Sequence, residues 1–161
     1  MDKEKRKGVQ NPEPIHPKSL METKVKEVMN RRPRTVTPDT SIDGLLECLR
    51  GQIEDCFPIV DKNRKLLGIV TESDVLHVLQ VPLRHVTVGH TMVKQAMKRS
   101  ASTVGEIMTR RPITVAPNMT IQEALNLMAA HKLRHLPVVE KELLVGLICL
   151  RDIIELYHAL R

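Results

Sequence analysis

Glu27–Pro38 reads EVMNRRPRTVTP, and 79 positions later Glu106–Pro117 reads EIMTRRPITVAP. Laying Val25–Val60 on Val104–Val139 makes 13 of 36 positions identical, against about two expected by chance from ordinary composition. After a one-residue deletion the register resumes: GIVTESDV (Gly68–Val75) pairs with GLICLRDI (Gly146–Ile153). The chain is therefore read as two copies of one unit, 25–79 and 104–161. A tail (1–24) precedes them and a connector (80–103) joins them.

Each copy spells the same order of elements. A short helical turn ends at Met29 or Met108. Arg32-Pro33 and Arg111-Pro112 stop it, because the residue before proline avoids the helical region. A β-branched stretch follows, Thr35–Thr37 or Ile113–Val115, closed by proline. Ile42, Leu45, Leu46 and Leu49 then fall on one helical stripe, as do Ile121, Ala124, Leu125 and Met128. Thr120 and Glu123 spell a capping box, while Ser41 faces Gly44 and caps more weakly. A hairpin comes next (Phe57–Asp61 with Leu66–Thr71; Leu136–Glu140 with Leu143–Cys149). A last helix spans Ser73–Leu79 or Arg151–Leu160. A unit of this size is marginal alone. Two related units packed sheet to sheet cover each other's apolar faces, which gives an α/β (α+β) fold with pseudo-twofold symmetry.

The 161 residues are 42% hydrophobic and carry a formal charge of +6. No apolar run approaches the roughly 18 residues of a membrane span. The charged, proline-broken N-terminus has no signal core and reads as a flexible basic tail. Cys48, Cys56 and Cys149 form no C-x-x-C pair and sit in apolar runs, which suits a reducing cytoplasm. The basic charge permits a nucleic-acid partner, but Phe57 and Tyr157 are the only aromatics, too few for base stacking. Nucleophile, Walker and H-E-x-x-H motifs are absent, so nothing argues for an enzyme. His131 and His135 have a zinc-compatible spacing but no obvious third ligand. The connector, with Met92, Met97, Lys94 and Arg99, reads as partly helical.

The markers repeated in register resemble the cystathionine β-synthase (CBS) domain, taken as a tandem pair over about Val25–Tyr157. They are V/I-M before the proline turn, T-V-x-P, the P-[VI]-V strand, and G-[IL]-[VI]-x-x-x-D entering the last helix. That resemblance implies binding rather than catalysis. It implies an adenine nucleotide (AMP, ADP or ATP, ahead of S-adenosylmethionine) in clefts between the units, regulation of a separate protein, and a homodimer of pairs. The alternatives are a nucleic-acid-associated protein and a dimerisation scaffold with degenerate sites.

Carried over residue by residue, the resemblance makes Asp74 and Asp152 the ribose ligands. A carboxylate can accept two hydroxyl protons and sits well at a helix N-terminus. Thr71 with Asp74 also forms a capping pair that needs no ligand, and in the second copy that cap is expected to be lost, because Cys149 replaces the Thr. Arg134, His135 and Arg151 are the phosphate ligands of the second copy. Asp55, Cys56 and Ser73 stand at the matching places of the first, so the phosphate-friendly site is expected in the second copy. Ile113, Thr114, Val115, Leu136 and Pro137 wall the adenine, with Thr35 matching in the first copy. Core packing is an equal reading for Val115 and Pro137. Gly68 and Gly146, inside strands, mark a close approach by either a ligand or the other unit.

Overall fold

The two hairpins set the frame. The structure, a computed structural model, describes residues 17–50, 55–79 and 102–159. In it β1 (Cys56–Val60) pairs antiparallel with β2 (Leu66–Thr71), and β4 (His135–Glu140) pairs antiparallel with β5 (Leu143–Cys149). Both ladders slip at the same step, Ile59/Val60 and Val138/Val139. Such a bulge bends the strand and raises its twist. Helices α3 (Ile42–Leu49) and α6 (Ile121–His131) cross before the hairpins, and α4 (Glu72–Leu79) and α7 (Leu150–Ala159) follow them. Their caps match the reading: Thr120 and Glu123 bond reciprocally, whereas Ser41 only accepts from the Gly44 N–H.

The β-branched stretches do not form strands of their own. Val36 alone bridges in parallel to Ile59, and Val115 alone to Val138. Proline explains the brevity. The Val36 and Val115 N–H groups donate to the Pro58 and Pro137 carbonyls, and Val60 and Val139 donate back to the two valine carbonyls. The prolines have no N–H with which to extend the ladder toward Arg34 and Ile113, and Pro38 and Pro117 turn the chain away within two residues.

The short turns α2 (Val25–Val28) and α5 (Val104–Ile107) pack in the opposite copy. The Val25 N–H donates to the Met119 carbonyl at 2.8 Å, and the Val104 N–H to the Thr40 carbonyl at 2.8 Å. Val25 is buried among Val115, Ile121, Leu136 and Ile148 of the second copy. Val104 is buried among Val36, Leu45, Phe57 and Val70 of the first. Further on, Asn30 exchanges two backbone hydrogen bonds with Leu147, and β3 (Thr109–Arg110) joins the edge of β2. The contiguous boundaries 25–79 and 104–161 therefore describe the repeat but not the packed bodies, which have exchanged their opening segments.

The exchange also accounts for the strand glycines. A Cβ on Gly68 would stand 2.8 Å from the Thr109 carbonyl, and one on Gly146 2.5 Å from the Met29 sulfur. The neighbouring copy is what comes close. A third cluster, Cys56, Ile69 and Leu147 with Cys149 against it, closes the seam between the sheets.

Of the residues expected to be a tail, 1–16 lie outside the described residues. Pro17–Glu22 forms α1, with Leu20 buried. Proline is preorganised for a first helical position, and one leucine is enough to anchor so short a turn. Of the connector, residues 80–101 lie outside the described residues. Thr103 bridges Ser41, and the Ser102 carbonyl accepts from the Ile42 N–H.

Candidate functional site: two clefts at the seam

Each hairpin runs directly into its last helix, which delivers an aspartate to the seam twice. Around Asp74 lies a cleft of about 450 Å³. One side is the β2–α4 junction, with Thr71, Glu72, Ser73 and Asp74. The other comes from the second copy: Arg111, Pro112 and Ile113 just after β3, and His131–His135 with Pro137. Around Asp152 lies a cleft of about 460 Å³. It is lined by Cys149–Asp152, Ile154 and Glu155, with Asn30 and Leu147 from the exchanged bridge.

Asp55, Arg134 and His135 line both clefts and form the septum between them. His135 Nε2 lies 2.7 Å from Asp55 Oδ1, tying the copies together. Asp55 and Arg134 occupy matching backbone places: the Glu72 N–H donates to the Asp55 carbonyl at 3.1 Å, and the Leu150 N–H to the Arg134 carbonyl at 2.8 Å.

The two aspartates are held by the same backbone device. The Thr71 N–H (2.8 Å) and hydroxyl (3.0 Å) both donate to Asp74 Oδ2. Asp152 Oδ2 accepts from the Cys149 N–H at 3.2 Å. The cap that the Thr-to-Cys replacement was expected to remove thus survives, because its first donor is main chain. What changes is the neighbour: burial pushes the Cys149 thiol up to about 12, helped by the Asp152 and Asp55 carboxylates.

The candidate residues are divided between the clefts. Thr71, Ser73, Asp74, Ile113 and Pro137 share the first; Arg151 and Asp152 line the second. The apolar wall attributed to the second copy thus faces the first copy's aspartate, since the exchanged β3 carries Pro112 and Ile113 across. Leu136 and Val115 are core residues, 0% and 2% exposed. Thr114, on the opposite side of the extended stretch from Ile113, is exposed, and neither it nor Thr35 lines a cleft.

Arg111 and Lys132 line the first cleft and were not singled out by the sequence. Both sit in the left-handed region, with φ of 50° and 56°. At Lys132 it is the C-cap of α6, where helices commonly adopt it; at Arg111, away from any helix end, it is uncommon for a side-chain-bearing residue. Arg32, the counterpart of Arg111, is not in that region. The R-R-P triplet directly before Ile113 is the signal that could have found Arg111. His131 and His135 face the same cleft, but among the described residues no group of three or more His, Cys, Asp or Glu could hold a metal. No helix among the described residues is long and apolar enough to cross a membrane.

The family model for the CBS domain matches residues 25–81 and again 104–159. Among solved structures, CBSX2, known from Arabidopsis thaliana and determined in complex with AMP, is 25% identical with a TM-score of 0.69, covering 84% of this chain and 96% of that one. The CBS domain pair of MJ0100, in complex with 5′-methylthioadenosine and S-adenosyl-L-methionine, is 26% identical with a TM-score of 0.67, covering 86% and 98%. YhcV, a CBS domain-containing protein of Bacillus subtilis, is 28% identical over 129 residues, covering 80% of this chain and 81% of that one.

Proposed function

The chain belongs to the CBS domain family, matched once in each half, and from that premise we propose that it is a regulatory module that senses an adenosine ligand, in the first place through the Asp74 cleft. One observation carries this reading. A single cleft of nucleotide-holding size combines a carboxylate at a helix start, an apolar wall and a group of cations. Both hydrogen bonds to Asp74 fall on Oδ2, so Oδ1 is the atom for a ribose diol. Ile69, Pro112, Ile113 and Pro137 supply an aliphatic slot for the base, and Arg111, Lys132 and Arg134 the phosphate partners. The AMP-bound and S-adenosylmethionine-bound relatives support the ligand class.

Regulation follows from the seam. Because both clefts lie between the copies, a ligand that prefers one packing of them shifts the population toward it. A partner protein that contacts the module reads that shift. Leu76 and Ile154, matching positions on α4 and α7, are 52% and 48% exposed, and a second copy that covers them gives the homodimer.

Melting of the protein with AMP, ADP, ATP, adenosine and S-adenosylmethionine tests the reading. A ligand at 100 times its dissociation constant adds about 2.7 kcal/mol. Asp74→Asn keeps an oxygen for the Thr71 cap and loses the carboxylate. It is expected to abolish the ligand-induced shift with the apo melting point nearly unchanged, while Asp152→Asn keeps most of it. A full shift in Asp74→Asn refutes the assignment.

A further inference from the structure

We propose that Asp55 is a built-in competitor for ligand phosphate, and that it sets how strongly the Asp74 cleft distinguishes a phosphorylated adenosine ligand from adenosine itself. The inference rests on the reading of that cleft as an adenosine site.

The septum holds opposite charges at equivalent places. Asp55 and Arg134 have the same backbone environment, each carbonyl capped by the first N–H of the following helix. The duplicated frame therefore offers an incoming anion one favourable corner and one hostile corner. Asp55 does more than repel. Its Oδ1 lies 2.7 Å from His135 Nε2, and the two side chains are only 23% and 10% exposed. A carboxylate–imidazole contact that is largely closed to water is strong. His135 would otherwise be a phosphate donor beside Arg134, Lys132 and Arg111 in the same cleft.

A phosphate entering the cleft must therefore displace Asp55 from His135 or sit beside it. Adenosine meets neither cost. Specificity is a difference of two affinities, and Asp55 acts on only one of them. It lines both clefts, so the same carboxylate also opposes a phosphate arriving from the Asp152 side.

Calorimetric titration of the full chain with AMP and with adenosine is the test. Asp55→Asn preserves shape and an acceptor for His135 while removing the charge. It is expected to tighten AMP about tenfold and to change adenosine less than about twofold. In a His135→Gln background the gain is expected to shrink, because the part that runs through the His135 contact is lost and only the repulsion by the Asp55 charge remains to be relieved. Asp55→Ser, with the same expected change in the AMP-to-adenosine ratio, serves if the Asn variant does not fold. An unchanged ratio, a weakened AMP, or a gain undiminished without His135 overturns the role of Asp55 while leaving the adenosine site standing. If neither AMP nor adenosine binds the wild type or any variant, the adenosine site fails and this inference with it.

Discussion

The Asp74 and Asp152 clefts come from one duplicated frame, with the same hairpin, the same junction and an aspartate capped by the same backbone N–H. Their walls differ. Ile113 and Pro137 line the first cleft. Their counterparts Arg34 and Pro58 do not line the second; Arg34 instead lies over the Phe57 ring at 5.9 Å and reaches the Cys48 carbonyl. Arg111 and Lys132 line the first cleft, and the second has Arg151 beside Asp152 and Glu155. Duplication conserved what the two copies need to bury each other and left the side chains at the seam free to diverge.

The largest expected effect tests whether the cores are one body. Phe57 and Leu136 are matching positions, 1% and 0% exposed. Phe57→Ala is expected to cost about 4 kcal/mol and Leu136→Ala about 3. Because Val104 threads the first core and Val25 the second, urea denaturation followed by circular dichroism should show one transition in both variants. Two separated transitions would break the picture of exchanged opening turns.

The glycines sharpen it. Gly68→Ala puts a methyl 2.8 Å from a main-chain oxygen, that of Thr109, and is expected to cost about 2 kcal/mol. At Gly146 the nearest atom is the sulfur of Met29, which can swing aside, with the Asn30 oxygen at 3.0 Å. About 1 kcal/mol is expected there. The reverse ranking in thermal melts would mean that the bridge around Asn30 is the stiffer of the two.

The smallest effect is a matter of pH. The Cys149 thiol is raised from 9.0 to about 12, so between those values the folded chain keeps a proton that the unfolded chain has lost. Its contribution is complete below pH 9 and disappears as pH rises toward 12, with a loss of about 1 kcal/mol by pH 10. Cys149→Thr copies Thr71 into the second junction and should flatten stability between pH 9 and 10. An undiminished alkaline loss in that variant would assign it to another group.

Much of this was readable before any coordinates. The hairpins, the α3 and α6 stripes, the Thr120–Glu123 box and the two junction aspartates follow from spacing over a few residues. Other features were not readable. The brevity of the Val36 and Val115 bridges depends on prolines in a partner strand far along the chain. The helix at Pro17–Glu22 depends on Leu20 finding a buried place. Arg111 reads as a helix stop, and only its left-handed backbone and its place beside Asp74 mark it as part of a site.

The sequence by itself determined that the protein is one unit written twice, and which local element each segment of the unit forms, because hydrophobic period, capping and proline act at short range. Only the tertiary structure decided that the opening turns cross to the opposite copy, and hence that Ile113 faces Asp74 and that Asp55 meets His135. Those pairings are set by which buried surface each turn finds, a long-range choice that carries no mark in the residues around it.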